Sequence, residues 1–264
     1  MPEAIDVTGE VISPEHDNIT PLFMRHVAAY NFFKGYVAGK KVLEIGFGEG
    51  YGTYSLAETA REITGIDVSS ALVEHARSKY QKENLYFLKA DAGRLPFPDG
   101  SFEVVLNSQV LEHVKDYMGF IRELHRVLKP GGTALAATPN RVMMIDGVNP
   151  YHYKEFSAKE LDAALRKVFP EVAVWGLFGS ERYMRLKAEE QGFAKKILAL
   201  DFLRLRRFVP RPLIKPLYKW AFETVNARTQ QVASDAADIT AEDFRFSLDH
   251  PEKGLDILGI CRKA

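Results

Sequence analysis

The sequence predicts an α/β fold, an open and largely parallel sheet covered by helices on both faces. Three observations carry that prediction. Residues 42–52, VLEIGFGEGYG, read as a buried strand entering a glycine-rich turn and then a helix. From there to Asn140, apolar runs alternate with amphipathic helical patterns, which is the rhythm of βαβ units. Acidic residues, Asp67 and Asp91, stand at or just past two strand ends, on the side where open α/β sheets hold ligands.

In the glycine turn, Gly46, Gly48 and Gly50 occupy alternate positions, with Glu44 just before them. Glycine admits positive φ and lets a ligand approach bare backbone. A helix starting near Gly50 would point free N–H groups at that ligand. A nucleotide-like molecule fits, but not a dinucleotide: the last glycine of G-x-G-x-x-G would fall on Tyr51 or Thr53. No Gly-Lys-Ser/Thr follows, so a phosphate P-loop is excluded as well.

The next helix turns Leu56, Ala57 and Ala60 inward, and REITGID forms a second strand ending at Asp67. An acid at that place can accept both hydroxyls of a ribose. It can also cap the following helix, ahead of Ser69 and Ser70. That helix shows Leu72, Val73, Ala76 and Tyr80 at helical spacing. A third strand lies around 86–88, with Asp91 beyond it as a ligand contact or a turn residue ahead of Gly93. An Asp99-Gly100 turn leads into a fourth strand over 103–107, with Asn107 and Ser108 at its C-terminal end. Asp116 caps a helix carrying Phe120, Ile121, Leu124 and Leu128, and Lys129-Pro130-Gly131-Gly132 stops it ahead of a fifth strand.

E-x-G-x-G-x-G from Glu44, LPFPDGSFEVV and VLKPGGTALAATPN together resemble the class I S-adenosylmethionine (SAM) methyltransferases, densely from 42 to 140. The resemblance implies a Rossmann-like, seven-stranded methyltransferase sheet whose last strand is antiparallel. It implies SAM as cofactor, becoming S-adenosylhomocysteine, held by Tyr30, Glu44, Gly46, Gly48, Gly50, Asp67, Val68, Asp91, Ala92 and Asn107. In it, Asp91 bonds the adenine amino group with Ala92 beside it. Phe47 departs from the pattern, where many members carry Cys or Ala, and is expected to face the cofactor loop. TPNR, NPYH and EFS are similar to a bacterial subgroup related to the ubiquinone-pathway O-methyltransferases, many of them tied to cell-surface sugar or natural-product pathways.

Residues 1–39 form an N-terminal lid, helical from about Thr20, with Arg25, His26 and Tyr30 as candidates to face the cofactor. A helix packed on the sheet is the equal alternative. Residues 40–180 and 254–264 form the SAM-binding domain, with EVAVWGLFG as sixth strand and LDILGICRK as seventh. Ser157 and Glu160 spell a capping box, which leaves NPYHYKEF as a loop at the ligand end of the sheet. Residues 181–253 form a helical insertion, far longer than an ordinary connection. Its first half, 181–219, holds eleven Lys or Arg against four Asp or Glu, with apolar residues interleaved. An acceptor-site lid, a membrane-surface contact and a dimer face or solvated hairpin are the three readings.

Composition agrees with one large domain. The 264 residues are 46% hydrophobic, enough to bury a full core. Thirty-five basic residues balance thirty-five acidic ones, so nothing in the net charge favours nucleic acid. The single cysteine, Cys261, excludes an intrachain disulfide and a cysteine-built metal cluster. With no leader or spanning run visible, a cytoplasmic location follows as the expectation, peripheral at the membrane if the insertion binds lipid.

The expected chemistry is methyl transfer to a small-molecule acceptor: a sugar, an isoprenoid or quinone, or another natural product. A hydroxyl acceptor needs a general base, whereas an amine needs only to be deprotonated. His152 in NPYHY and His113 in LEHV are the candidate bases, with a structural role as the alternative for His113. Glu155 is placed to orient His152, His125 is expected at the surface, His16 could join the lid, and His75 and His250 carry no functional signal. Glu112, His113 and Asp116 mimic the metal ligands of related quinone-pathway enzymes, but no metal is expected. N-methylation and a non-catalytic SAM-binding scaffold are the alternatives.

Overall fold

The computed structural model describes residues 11–14, 21–144, 149, 151–185, 187–188 and 238–264. Strand β1 (Lys41–Ile45) is buried almost throughout and sits inside the sheet. With it run β2 (Glu62–Asp67), β3 (Leu85–Lys89), β4 (Phe102–Ser108), β5 (Leu128–Pro139), β6 (Glu171–Gly179), β7 (Phe244–Ser247) and β8 (Asp256–Arg262). Their order across the sheet is β3-β2-β1-β4-β5-β8-β6-β7. The first five strands are parallel. The last strand in sequence, β8, runs antiparallel between β5 and β6.

Helices α1 (Pro21–Val37), α2 (Tyr51–Leu56) and α3 (Ser70–Lys79) cover one face, packing Phe33, Leu56, Val73 and Ala76 against Val42, Ile63 and Leu106. Helices α4 (Tyr117–Val127) and α5 (Ala158–Leu165) cover the other, packing Phe120, Leu124, Leu161 and Leu165 against Leu43, Val105 and Ile257. With both faces covered, the central strands read as continuous apolar runs rather than alternating ones. Cys261 is buried within β8, as its apolar surroundings predict.

The local signals act as read. Asp116 Oδ1 accepts from the Gly119 amide at 2.8 Å to start α4. Ser157 and Glu160 form the reciprocal capping box of α5. Asn140 closes β5: its buried amide donates to the Glu252 and Gly254 carbonyls at 2.9 and 2.7 Å, tying that end of the sheet to the entry of β8.

Three details differ from expectation. The helix after the glycines ends at Leu56, and Ala57 and Ala60 are buried in the turn that follows. Leu128 opens β5 instead of closing the helix before it. The sheet gains an eighth strand, β7, near the end of the segment expected to be a helical insertion. Four residues are too few to show a period. β7 is held by its antiparallel pairing with β6 and by aromatic packing onto α1, with Phe246 centred 4.5 Å from Phe32. The Thr20 cap, His16 and the basic stretch 189–219 lie outside the described residues. Among the described residues, no helix is long and apolar enough to cross a membrane.

Candidate active site

The strand order reverses between β1 and β4, and a crevice opens there at the strands' C-terminal ends. The turn after β1 lies in it. Gly46, Gly48 and Gly50 all have positive φ, at 73°, 60° and 103°. A Cβ on Gly46 would collide with Val110 Cγ2, so the turn packs directly against the chain leaving β4. On Gly48 it would meet nothing nearer than Val11 at 3.9 Å, which leaves bare backbone facing open space. At the end of β2, Asp67 accepts from the Gly48 amide at 3.2 Å and from the Ser69 amide at 2.9 Å. It therefore supports the glycine turn and the start of α3 together. Ser69 itself caps α3. Burial raises the Asp67 carboxyl, with hydrogen bonds from Ser69 and Gly48 pulling the other way.

Glu44 is buried at the end of β1, and Asn107 is buried opposite Ile45 at the end of β4. The Tyr30 hydroxyl donates to Glu44 Oε1 at 2.6 Å. Tyr30 reaches it because residue 52 is glycine: a Cβ there would collide with the tyrosine ring. Burial pushes the Glu44 carboxyl up to about 7, against the pull of the Tyr30 bond, and burial with the neighbouring Glu44 raises the tyrosine hydroxyl too. Asn107 Oδ1 is a buried acceptor with no hydrogen-bond donor among the described residues, whereas Glu44 has Tyr30 and Thr53 beside it. The Glu44 and Asn107 side chains lie on opposite faces of the sheet, since Glu44 pairs with Leu106 and Asn107 with Ile45.

Val68 follows Asp67 with 68% of its surface exposed, an apolar platform on the crevice wall. Asp91 is exposed and its Oδ1 accepts from the Gly93 amide at 2.8 Å, with Ala92 partly buried beside it. A groove of about 360 Å³ is lined by Asp91, Gly93, His113, Asp116 and Tyr153 among others. Phe47 corrects its expectation. It turns inward, 3% exposed, and packs on Phe87 with ring centroids 4.8 Å apart.

At this groove, the turn Leu111–His113 meets the loop after β5. The rings of His113 and His152 stand edge to face, centroids 4.9 Å apart. His113 Nδ1 lies 3.3 Å from the Tyr151 carbonyl, which can only accept, so Nδ1 carries the proton and Nε2 the lone pair. His152 Nδ1 faces Glu155 Oε1 at 3.2 Å, and its Nε2 faces the Asn149 amide nitrogen at 2.9 Å. That pair of partners fixes the same tautomer. Glu112, 1% exposed, accepts from the Thr138 hydroxyl at 2.9 Å and places Oε1 4.0 Å from His113 Nε2. Burial pushes Glu112 up to about 7, while burial and the neighbouring His152 hold His113 down at about 4.

Ligand-capable atoms of Glu112, His113 and His152 lie within 4.8 Å of one another. The acid–histidine trio thus differs from the one expected, because Asp116 is spent on capping α4 and His152 takes its place. Sequence reasoning missed Glu112 as a partner of His152, since forty residues separate them. It also missed a buried pair in which Arg25 Nε stands 3.1 Å from Asp256 at the start of β8. His26 is partly buried on the same helix, and burial with the Arg25 charge pulls its imidazole down to about 3. His125, expected at the surface, is partly exposed there and rests its ring on Phe169, centroids 5.2 Å apart. His75 binds the glycine turn through Glu49 at 2.8 Å, against the expectation that it carried no signal.

Comparison with known proteins adds to this geometry. A family model described as a methyltransferase domain matches residues 43–136. A probable S-adenosylmethionine-dependent methyltransferase of Mycobacterium tuberculosis is 32% identical over 260 residues, 97% of this chain and 87% of the relative. A fatty-acid O-methyltransferase of Mycolicibacterium smegmatis is 41% identical over 98 residues, 36% of each chain. A Thermotoga maritima structure, described as a SAM-dependent methyltransferase and possible histamine N-methyltransferase, shares the fold. Its TM-score is 0.57 at 18% identity, over 94% of this chain and 95% of that one.

Proposed function

Because the chain belongs to the S-adenosylmethionine-dependent methyltransferases, we propose that it methylates a hydroxyl of a small-molecule acceptor, with His152 as the general base. SAM supplies an electrophilic methyl carbon on a positively charged sulfur. In this reading Gly46, Gly48 and Gly50 offer the cofactor bare main chain. Asp67 accepts from its ribose, while Val68, Asp91 and Ala92 border its adenine. Glu44 receives its ammonium and Asn107 borders it from the end of β4, a reading supported by the acidic charge of Glu44 and by the open main chain at Gly48. Tyr30 then fixes Glu44 from the lid helix.

The observation that carries the base assignment is the orientation of His152. Its Nδ1 proton is directed at Glu155 and its Nε2 lone pair faces the Asn149 amide, with Glu112 and His113 close beside the ring. The ring is 9% exposed, so little water competes for it. An acceptor hydroxyl that replaces the Asn149 amide at Nε2 gives its proton to His152 as the O–C bond forms and the C–S bond breaks, the electron pair leaving on sulfur. Glu155 stabilises the imidazolium. His113, held neutral by burial, lines the groove and either contacts the acceptor or shares the base role. The likeness to a fatty-acid O-methyltransferase supports oxygen as the methylated atom.

A radiolabelled-methyl transfer screen with matched hydroxyl and amine acceptors tests the proposal. Labelled product from hydroxyl acceptors supports it. Transfer confined to amines, which need no base beyond deprotonation, rules out the oxygen assignment.

A further inference from the structure

Glu49 sits inside the glycine turn, between Gly48 and Gly50, yet only 3% of it is exposed. A carboxylate is almost never buried without partners. Glu49 has four. Oε1 accepts from His75 Nε2 at 2.8 Å and from Lys79 Nζ at 2.7 Å, and Oε2 accepts from the Tyr80 hydroxyl at 2.7 Å and the Tyr51 amide at 3.3 Å. Three of these donors come from α3 and the residue that closes it: His75 and Lys79, four apart on one face of the helix, and Tyr80, whose extended backbone brings its hydroxyl back to the same carboxylate. The neighbouring glycine is pressed against the same helix. A Cβ on Gly50 would lie 3.0 Å from Ala76 Cβ and 3.2 Å from the Tyr80 ring.

The other end of α3 is tied to the same turn. Asp67, whose side chain accepts from the Ser69 amide at the head of α3, also accepts from the Gly48 amide. The glycine turn is therefore held at Gly48 from the helix's first turn and at Glu49 from its last.

We propose that Glu49 is a positioning residue for cofactor binding, clamping the glycine turn to α3 so that its main chain and Asp67 meet the cofactor as one body. Glu49 points away from the open side of the turn and touches no ligand itself. Its charge fixes the curve of a segment whose three glycines would otherwise leave it loose. The inference rests on the proposal that this turn holds SAM.

Calorimetric binding of S-adenosylhomocysteine, with steady-state kinetics in SAM, tests it. Wild-type protein that binds no S-adenosylhomocysteine overturns the cofactor reading of the turn itself. Given wild-type binding, Glu49→Gln is expected to weaken affinity about tenfold or more and to raise KM for SAM, while kcat at saturating SAM stays within about twofold. Tyr80→Phe removes a single hydroxyl and serves where Glu49→Gln does not fold; it is expected to weaken binding about threefold or more. Lys79→Met should weaken binding and Lys79→Arg, which keeps the cation, should restore it. Folded Glu49→Gln and Tyr80→Phe variants that bind as wild type overturn the inference, as does a loss confined to kcat.

Discussion

The Tyr30 hydroxyl donates to Glu44 across 2.6 Å, joining the helix that precedes the sheet to the carboxylate that opens the glycine turn. Tyr30→Phe removes one of the two donors, with Thr53, that favour the charged form of a buried carboxylate. Glu44, already pushed up to about 7, then holds its proton more firmly and loses its attraction for an ammonium group. A hydrogen bond to a charged group is worth about 1.5–3 kcal/mol, so affinity for S-adenosylhomocysteine at neutral pH is expected to fall roughly ten- to a hundredfold. Calorimetry on the folded variant reads this directly. Wild-type affinity in Tyr30→Phe would separate the tyrosine from cofactor binding.

His152→Ala is expected to lower turnover at saturating SAM by about a hundredfold or more, the usual weight of a positioned base. S-adenosylhomocysteine binding should hardly change, because His152 belongs to the loop after β5 and not to the glycine turn. Glu155→Gln, which weakens support for the imidazolium, should give a smaller loss in the same direction. Unchanged turnover in His152→Ala removes His152 from the mechanism and leaves His113 as the base to test.

Dialysis against a chelator is expected to leave turnover within about twofold of its starting value. Glu112, His113 and His152 have the chemistry of metal ligands, and each imidazole has its Nδ1 engaged by an acceptor. Their free positions are already served, however. Thr138 binds one Glu112 oxygen, and Asn149 binds His152 Nε2. A proton on Glu112 relieves the remaining opposition to the His113 lone pair. Activity lost on dialysis and regained with Mn²⁺ or Zn²⁺ would make the trio a metal site instead.

What the sequence revealed and what it hid divide by range. The glycine turn, the Asp67 strand end, the Asp116 cap and the Ser157–Glu160 box are local patterns, and each is where its pattern puts it. Asn140 was legible only as the end of TPN, because its partners lie 112 and 114 residues away. Glu112 and His152, like Glu49 and His75, are joined by the path of the sheet, and no spacing rule links them. Phe47 has backbone suited to the crevice but a side chain that finds Phe87 beneath it. Strand β7 is too short to announce itself, and its supports, the ladder with β6 and the packing of Phe246 on α1, are long-range.

Glu112 also sets a pH dependence of stability. It is pushed from an ordinary 4.5 to about 7 by burial. Below 4.5 the acid is protonated in both folded and unfolded chains and contributes no slope. Between 4.5 and about 7 the folded chain keeps a proton the unfolded chain has released, so stability falls as pH rises, and above about 7 the loss is complete. At 1.36 kcal/mol per pH unit the full effect is on the order of 3 kcal/mol. His113, held down at about 4, acts the other way. Between there and the ordinary imidazole value the unfolded chain binds more protons, and stability rises with pH. The two opposing slopes flatten the wild-type curve over their shared range. Glu112→Gln removes only the falling one. The melting temperature of the variant relative to wild type is therefore expected to climb between about pH 4.5 and 7 and to level off above that. Thermal denaturation of both proteins across that range measures the difference, and a difference that stays constant with pH would mean that Glu112 does not carry this proton.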